Sequence, residues 1–359
     1  MEEPLLSGLV RARTSTRDIQ PSELSHPSPP PTAEPPYSRR HPCLVRARSS
    51  PRDVHSSESS YSSPPPTTGS VHLPRETLIK YTESNVLERV PDENGKRLVG
   101  ECKDSHELYW IVTERIKRLV RSMIQEADDL HRIDYCLPKF THNNWEVTGN
   151  GLAVFKGLST LKKTDQLVAQ NYDNLHSVIL KIIFRKFTMQ QIPADFRSLL
   201  YLMKHERINN GYLIRNCAAL IPLENRILFF MKAYEHISFH LARKDADMKE
   251  EIMKKLPYSK RWFEMLKGNH LLEYSLNYKT RDVSGSAEGF MEFYRDSNYH
   301  RMDKNFQILE VGGYEAEEFE LLCLVKYPLY LTSLQEALHA NGQLEGLRPH
   351  TLFSFDPSV

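Results

Sequence analysis

The sequence predicts a mainly α-helical protein with a small amount of β-structure. After residue 75, apolar residues recur at helical spacing through most of the chain. Two short apolar segments, 145–148 and 152–155, flank Gly149-Asn150-Gly151, and this pattern predicts one β-hairpin. Residues 1–73 are instead rich in proline, serine and arginine, a composition that predicts a disordered tail.

Length and composition limit the classes of protein to which this chain can belong. The chain has 359 residues, enough for one large or two small domains, and its net charge of +1 gives no overall attraction to nucleic acid or acidic lipid. Five scattered cysteines without a CxxC pair favour a reducing intracellular compartment, cytoplasmic or nuclear, and no zinc site. We find neither a signal-peptide pattern nor an apolar run of about 18 residues, so no membrane association is expected.

The N-terminal tail carries an internal duplication. The five residues at 9–13 recur at 44–48, and the Pro-Pro-Pro-Thr at 29–32 recurs at 64–67, in both cases 35 residues later. One interpretation is a recent tandem duplication without selected structure. The other is a polyproline ligand or a basic tail open to phosphorylation. Either way, we expect residues 1–73 to be dispensable for folding.

A long helix is predicted over 105–131, with Ser105 as its N-cap and Glu107 in its first turn. Pro193 and Pro222 lie where two later helices should begin, because the fixed backbone angle of proline suits the first turn. The other predicted helices span 173–187, 194–204, 222–242, 246–256, 285–300 and 316–340.

The order of elements over 75–208 resembles the C-terminal lobe of a protein kinase. Asp129-Leu130-His131 ends the long helix, as Leu-His does ahead of the kinase catalytic loop. Asn144 begins a segment similar to the Asn-Ile-Leu-Ile of kinases, and residues 155–157 stand where kinases have Asp-Phe-Gly. The resemblance therefore implies a helical lobe that contains the small β-hairpin.

The same alignment implies that phosphoryl transfer is lost. It places Lys139 at the catalytic aspartate and Phe155 at the metal-binding aspartate, and leaves only Asn144 in place. Kinases need both carboxylates and a lysine on the phosphates. No glycine-rich loop is present, and residues 75–104 are too few for the five-stranded N-terminal lobe. We therefore expect a truncated pseudokinase lobe that takes no cofactor and no metal.

Residues 209–341 resemble the kinase-extension nuclease module, which follows the kinase domain in the Ire-type unfolded-protein sensors and in 2-5A-dependent ribonuclease. The hallmark of that module is Leu-Leu-Arg, then Arg-Asn, three residues and His; here residues 290–296 precede three residues and His300. Lys326-Tyr327-Pro328 is similar to the module's Arg-Phe-Pro. The chain is thus identified as a degenerate member of this family, with residues 342–359 as a C-terminal tail.

The resemblance implies a metal-independent ribonuclease site built from a tyrosine, an Arg-Asn pair and a histidine. Arg295 and His300 occupy two of these positions, but Asp296 replaces the asparagine and Asp282 replaces the tyrosine. Tyr278 could substitute only if the loop had a different register. A carboxylate offers no donor to a phosphate and competes for the arginine. We therefore expect Arg295 to be paired with Asp296 or Asp282.

The leading functional expectation is a non-catalytic regulatory or interaction protein that self-associates or pairs with a related protein. Two alternatives remain: a weak RNA endonuclease that uses Arg295 and His300, and a module that binds RNA without cutting it. A simple ion-paired helix terminus would explain the same residues. His236 and His240 have metal-ligand spacing without a third ligand, which favours a plain helix surface. Basic residues at 254–261 beside Trp262 suit either RNA stacking or a charged turn.

Overall fold

The structure, a computed structural model, is mainly α-helical, which confirms the predicted fold class. The described residues belong to one compact unit that spans 69–359. The predicted disordered tail, 1–73, lies outside them. The structure describes residues 74–90, 109–157, 159–258, 260, 262–266, 272–273, 276, 285–300 and 315–353.

Most of the described residues lie in helices. Two of these helices continue into π-helical turns: Ile179–Ile183 follows Asp165–Val178, and His236–Leu241 follows Leu223–Glu235. Short 3-10 helices and the three-residue helix Ala242–Lys244 complete the set. The α-helices that we number are α1 Leu78–Tyr81, α2 Glu114–Arg132, α3 Asp165–Val178, α4 Ala194–His205, α5 Gly211–Arg215, α6 Leu223–Glu235, α7 Ala246–Lys254, α8 Ala287–His300, α9 Ala316–Lys326 and α10 Tyr330–Ala340.

The strands are short and all pair antiparallel. They form a three-stranded sheet in the order β1-β5-β6 and two two-stranded sheets, β2-β3 and β4-β7. The predicted hairpin is confirmed, with Trp145 opposite Phe155 and Val147 opposite Ala153. Gly151 turns the chain with a φ of 79°, a left-handed value that glycine adopts without strain. The strands are β1 Arg75–Thr77, β2 Leu87–Arg89, β3 Trp110–Val112, β4 Tyr135–Cys136, β5 Trp145–Thr148, β6 Ala153–Phe155 and β7 Leu161–Lys162.

Helix α2 begins later than predicted. Thr113 precedes its first residue, and Trp110–Val112 forms a strand instead of the second helical turn. Aromatic and β-branched side chains suit a half-buried strand, and pairing with Leu87–Arg89 favours the extended form. The predicted cap Ser105 lies outside the described residues. The helix buries apolar residues at helical spacing: Ile116, Leu119, Val120, Met123, Ile124 and Ala127.

The predicted helix over 316–340 is in fact two helices. Lys326 ends α9 and Tyr330 begins α10. Pro328 explains the break, because proline has no N–H to donate and disfavours the helical conformation of the residue before it. That residue, Tyr327, has φ −132° and ψ 57°.

The starts of three other helices show how well proline and N-cap residues predicted where a helix begins. The predicted starts near Pro193 and Pro222 are confirmed, although both prolines are N-caps that directly precede α4 and α6 rather than residues of the first turn. Helix α3 begins at Asp165 rather than at 173, because the Thr164 hydroxyl accepts a hydrogen bond from the Leu167 N–H at 3.2 Å and caps an earlier turn.

Helices from both sides of the predicted boundary near residue 208 pack against each other. On α5, Arg215 lies 2.7 Å from an Asp128 carboxylate oxygen and 2.6 Å from one of Asp129, both on α2. The Leu223 N–H at the start of α6 donates to Glu114 at 3.1 Å. The predicted boundary therefore lies inside one packed unit.

The segment predicted as a C-terminal tail is packed through residue 353. Leu352 and Phe353 are buried. The Asn225 amide donates to the Leu352 carbonyl at 2.9 Å, and the Arg121 guanidinium carbon lies 3.7 Å from the centre of the Phe353 ring. Only residues 354–359 of that segment lie outside the described chain.

Candidate functional site

Helix α8 is anchored by its apolar face, which includes Phe290, Met291, Phe293 and Tyr294. Phe290 is fully buried among aromatic rings. Its ring centroid lies 4.4 Å from that of Tyr327, 4.4 Å from that of Tyr330 and 5.5 Å from that of Trp262. Aromatic pairs at these separations contribute beyond the area that they bury. The helix that carries Arg295 and His300 is therefore held firmly at its N-terminal half.

A buried polar network lies beneath this helix. The Tyr294 hydroxyl is 2.8 Å from one carboxylate oxygen of Glu320 and 2.9 Å from the other. Arg226 lies between two acids, with one terminal nitrogen 3.2 Å from Asp195 and its Nε 4.0 Å from Glu320. It also donates to the Ala218 carbonyl at 3.0 Å. These residues come from separate helices and share no motif, so the sequence contained no signal for the network.

Burial governs the protonation of this network. Desolvation raises the pKa of Tyr294 well above its ordinary value, and the neighbouring Glu320 carboxylate raises it further. Desolvation by itself would lower the pKa of Arg226, but the charges of Asp195 and Glu320 outweigh it and raise that pKa. Tyr294 is therefore a donor and Arg226 a cation at any physiological pH.

The predicted pairing of Arg295 is present. Its Nε lies 2.8 Å from an Asp296 carboxylate oxygen, and its Nη2 lies 2.6 Å from the same oxygen. Its third nitrogen donates to the Tyr234 hydroxyl, and the guanidinium carbon is 4.8 Å from the centre of the Tyr234 ring. The donors that would hold a phosphate are thus engaged by an acid and a phenol from this chain.

Helical geometry separates Arg295 from His300. Helix α8 runs through His300, so five residues place these side chains about 140° apart around the axis and about 7.5 Å apart along it. Residues four apart share a face. Asp296, rather than Arg295, therefore shares a face with His300, and Arg295 shares its face with Tyr299. The two residues proposed to act on one phosphate therefore start from different faces of α8.

The other predicted residues of the site, Asp282 and its possible substitute Tyr278, lie outside the described residues. Their roles stay predictions.

Two exposed aromatic residues near Arg295 were not singled out from the sequence. Tyr299 is 81% exposed and Phe239 is 52% exposed. The Phe239 ring lies 6.0 Å from the Tyr234 ring that underlies Arg295. A helical-wheel count would have found Tyr299, which lies four residues after Arg295. Phe239 comes from the π-helical turn after α6, and only packing brings it here.

Of the positions that the resemblance aligned with kinase motifs, Phe155 lies in an aromatic cluster. Its ring centroid is 5.7 Å from that of Phe140 and 5.3 Å from that of Trp145. Lys139 is exposed. The Asn144 side-chain oxygen accepts a hydrogen bond from the Thr141 N–H at 2.9 Å, so it caps the local turn.

The remaining candidates have structural explanations. The rings of His236 and His240 stack 5.0 Å apart, and His236 is hydrogen-bonded to Gln343 at 2.9 Å. No group of three or more metal-ligating side chains occurs in the part of the chain that the structure describes. In the basic segment, Lys254 pairs with Glu250 at 2.9 Å and Trp262 is fully buried. Arg261 lies outside the described residues.

A scan against protein-family models and a search of curated proteins both give no match. The family resemblance therefore rests on the residues of this chain. Across the described ranges, no helix is long and apolar enough to cross a lipid bilayer.

Proposed function

We propose that this chain is a non-catalytic regulatory or interaction protein, a degenerate relative of the Ire-type and 2-5A-dependent ribonucleases. In this proposal a truncated pseudokinase lobe precedes a nuclease-like helical module. The main support for proposing that the chain is not catalytic is that Arg295 is already bound by Asp296 and Tyr234.

The pair at Arg295 supports this reading on energetic grounds. Arg295 and Asp296 side chains are only 25% and 18% exposed, so water screens their attraction incompletely. An incoming phosphate would have to displace the carboxylate and then lie beside its negative charge. Charge-assisted bonds of this kind are among the strongest hydrogen bonds in proteins. A phosphate would therefore bind weakly.

The kinase-like half supports the same conclusion. Phe155 packs against Phe140 and Trp145, where a metal-bound nucleotide would need a carboxylate. A residual role in nucleotide-controlled signalling has no chemical basis at these positions.

The proposed activity is pairing, either of two copies of this chain or of one copy with a related protein. Family nucleases act as dimers that the kinase lobes help to align. A chain whose kinase-like positions cannot hold a metal-bound nucleotide would keep the pairing surfaces and lose nucleotide control over them. The support for the proposed pairing is the family resemblance, and it does not come from a contact between two copies of the chain.

One experiment tests both halves of the proposal. Purified protein is incubated with a stem-loop RNA while its mass in solution is measured by light scattering. We expect uncut RNA and a mass above that of one chain, either alone or with a related family protein. Robust cleavage that disappears in His300→Ala would overturn the proposal and establish the endonuclease alternative. A monomer under all conditions would contradict the proposal that the chain pairs with a second copy or with a related protein.

A second candidate function, RNA binding without cleavage, is favoured by two exposed rings. Tyr299 lies one helical turn after Arg295, and Phe239 packs against the Tyr234 ring beneath Arg295. Bases of single-stranded RNA stack on such rings, each contributing about 1–3 kcal/mol. Fluorescence anisotropy with a labelled single strand should then show weaker binding for Tyr299→Ala and Phe239→Ala. Tyr201→Ala, which removes a ring that is 55% exposed on α4, is the matched control. Equal affinity in all variants would exclude this candidate.

A further inference from the structure

A cleft of about 330 Å³ lies between the ends of α4, α7 and α10 and the start of α5. Glu206 and Asn210 line it from the α4–α5 connection, Lys255 from the end of α7, and Glu336 and His339 from α10. None of these residues belongs to the surface around Arg295.

The backbone contributes negative potential to this cleft. Glu206 follows the last residue of α4, Lys255 follows the last residue of α7, and Ala340 is the last residue of α10. The C-terminal end of a helix carries a partial negative charge from its unbonded carbonyl groups. Three such ends at one cleft favour a positively charged group inside it.

Two carboxylates reinforce this potential. The Ser198 hydroxyl donates to Glu336 at 2.8 Å and fixes one of its oxygens. Burial raises the pKa of Glu336, and the nearby Glu206 carboxylate raises it further. Within the described chain, neither Glu206 nor Lys255 makes an ion pair, although both line the same cleft. Glu206 and Lys255 thus both line the cleft without forming an ion pair with each other.

Leu213 and Ala337 add an apolar part to the lining. Binding clefts for small molecules combine such apolar walls with a few polar groups that fix orientation.

We propose that this cleft binds a small zwitterion, a free α-amino acid or a dipeptide. Its ammonium group would lie against the carboxylates of Glu206 and Glu336, and its carboxylate would lie against Lys255. The cleft thus presents both signs of charge to a ligand that itself carries both. A diamine would bring a second cation towards Lys255, and a simple carboxylic acid would meet two acids and three helix ends.

The test is calorimetric titration of the full chain with free L-amino acids, with glycylglycine as the dipeptide. Putrescine and acetate serve as probes that carry only one sign of charge. We expect at least one amino acid or the dipeptide to bind at least tenfold more tightly than either single-sign probe.

Variants locate the binding. Lys255→Met and Glu336→Gln should each weaken binding at least tenfold, whereas Lys254→Met, which changes the preceding lysine outside the cleft, should leave it unchanged. Circular dichroism checks that each variant is folded, and the Glu336→Gln change keeps the size of the side chain. The proposal is overturned if no zwitterion binds, if putrescine binds as tightly as the zwitterions, or if folded Lys255→Met binds like the unmodified chain.

Discussion

The hydroxyl of Tyr294 lies within 2.9 Å of both carboxylate oxygens of Glu320, and both residues are buried. This contact joins α8 to α9 at the residue directly before Arg295. It also places Glu320 at the edge of the network centred on Arg226. The position of the candidate site therefore depends on a polar cluster buried among α4, α6, α8 and α9.

The Arg226 network should contribute strongly to stability. Replacing Arg226 with methionine leaves two buried carboxylates without their cation, and breaking a buried ion pair in this way costs about 3–5 kcal/mol. Urea denaturation followed by circular dichroism measures the loss. The matched control is Lys162→Met, because its partner Asp134 is on the surface and exposed pairs contribute about 0–1 kcal/mol. Similar losses in the two variants would contradict the prediction.

Restoring donors at the nuclease-like site should restore RNA cleavage. The double change Asp296→Asn with Asp282→Tyr removes two acids, releases Arg295 and should raise the rate of stem-loop cleavage above that of the unmodified chain. Adding His300→Ala should abolish the gain, because loss of a general acid typically costs about 10²–10⁴-fold. A gel-based cleavage assay gives the rates. Absence of any gain in a folded double variant would place the defect elsewhere, in the alignment of paired chains.

ATP with Mg²⁺ should not stabilise the protein. Phe155 and its aromatic neighbours offer no carboxylate to a metal ion, and a ligand raises the melting temperature only by binding the folded state. A thermal-shift titration with ATP·Mg²⁺ measures this directly, and titration with Mg²⁺ alone is the control. A concentration-dependent rise specific to the nucleotide would show that the pseudokinase hypothesis is wrong.

His131 should make the protein sensitive to acid. Desolvation lowers its pKa below the ordinary 6.5, despite the opposing hydrogen bond to Asn171 and the charge of Asp128. The unfolded chain therefore binds the proton more readily, and the free energy of unfolding should fall as the pH drops below 6.5 towards the folded-state pKa.

The measurement for this prediction is urea denaturation at a series of pH values. His131→Gln should flatten the decline below pH 6.5, and His176→Gln should flatten it too, because burial and Lys204 also lower the pKa of His176. An unchanged pH profile in both variants would assign the acid sensitivity to other groups.

The C-terminal segment should be needed for a stable core. Truncation after Asn341 removes the buried Leu352 and Phe353, and loss of a buried phenylalanine side chain alone costs about 3–5 kcal/mol. Truncation after Phe353 should have little effect by comparison. Thermal unfolding of both shortened chains distinguishes them. Equal melting temperatures would mean that the segment from 342 is a tail after all.

Local signals in the sequence were sufficient to predict the mainly helical fold class, the β-hairpin and several helix starts. The Gly149-Asn150-Gly151 turn and the prolines at 193 and 222 act through backbone angles that depend only on neighbouring residues. The strand at 110–112 was missed because its conformation depends on pairing with a segment more than twenty positions earlier. Propensity alone could not distinguish it from the second turn of the predicted helix.

The sequence alone determined which chemical groups this protein has at the candidate site: Arg295, Asp296 and His300 on one amphipathic helix, with acids where donors were expected. The sequence also predicted the pairing of Arg295 with a neighbouring acid, but only the tertiary structure decided the contacts with residues distant along the chain. Tyr234 lies sixty-one positions from Arg295, and the Arg226 network joins residues from four separate helices. Such contacts depend on how helices pack, and packing is set by the complementary shapes of whole surfaces rather than by the spacing of residues along one segment.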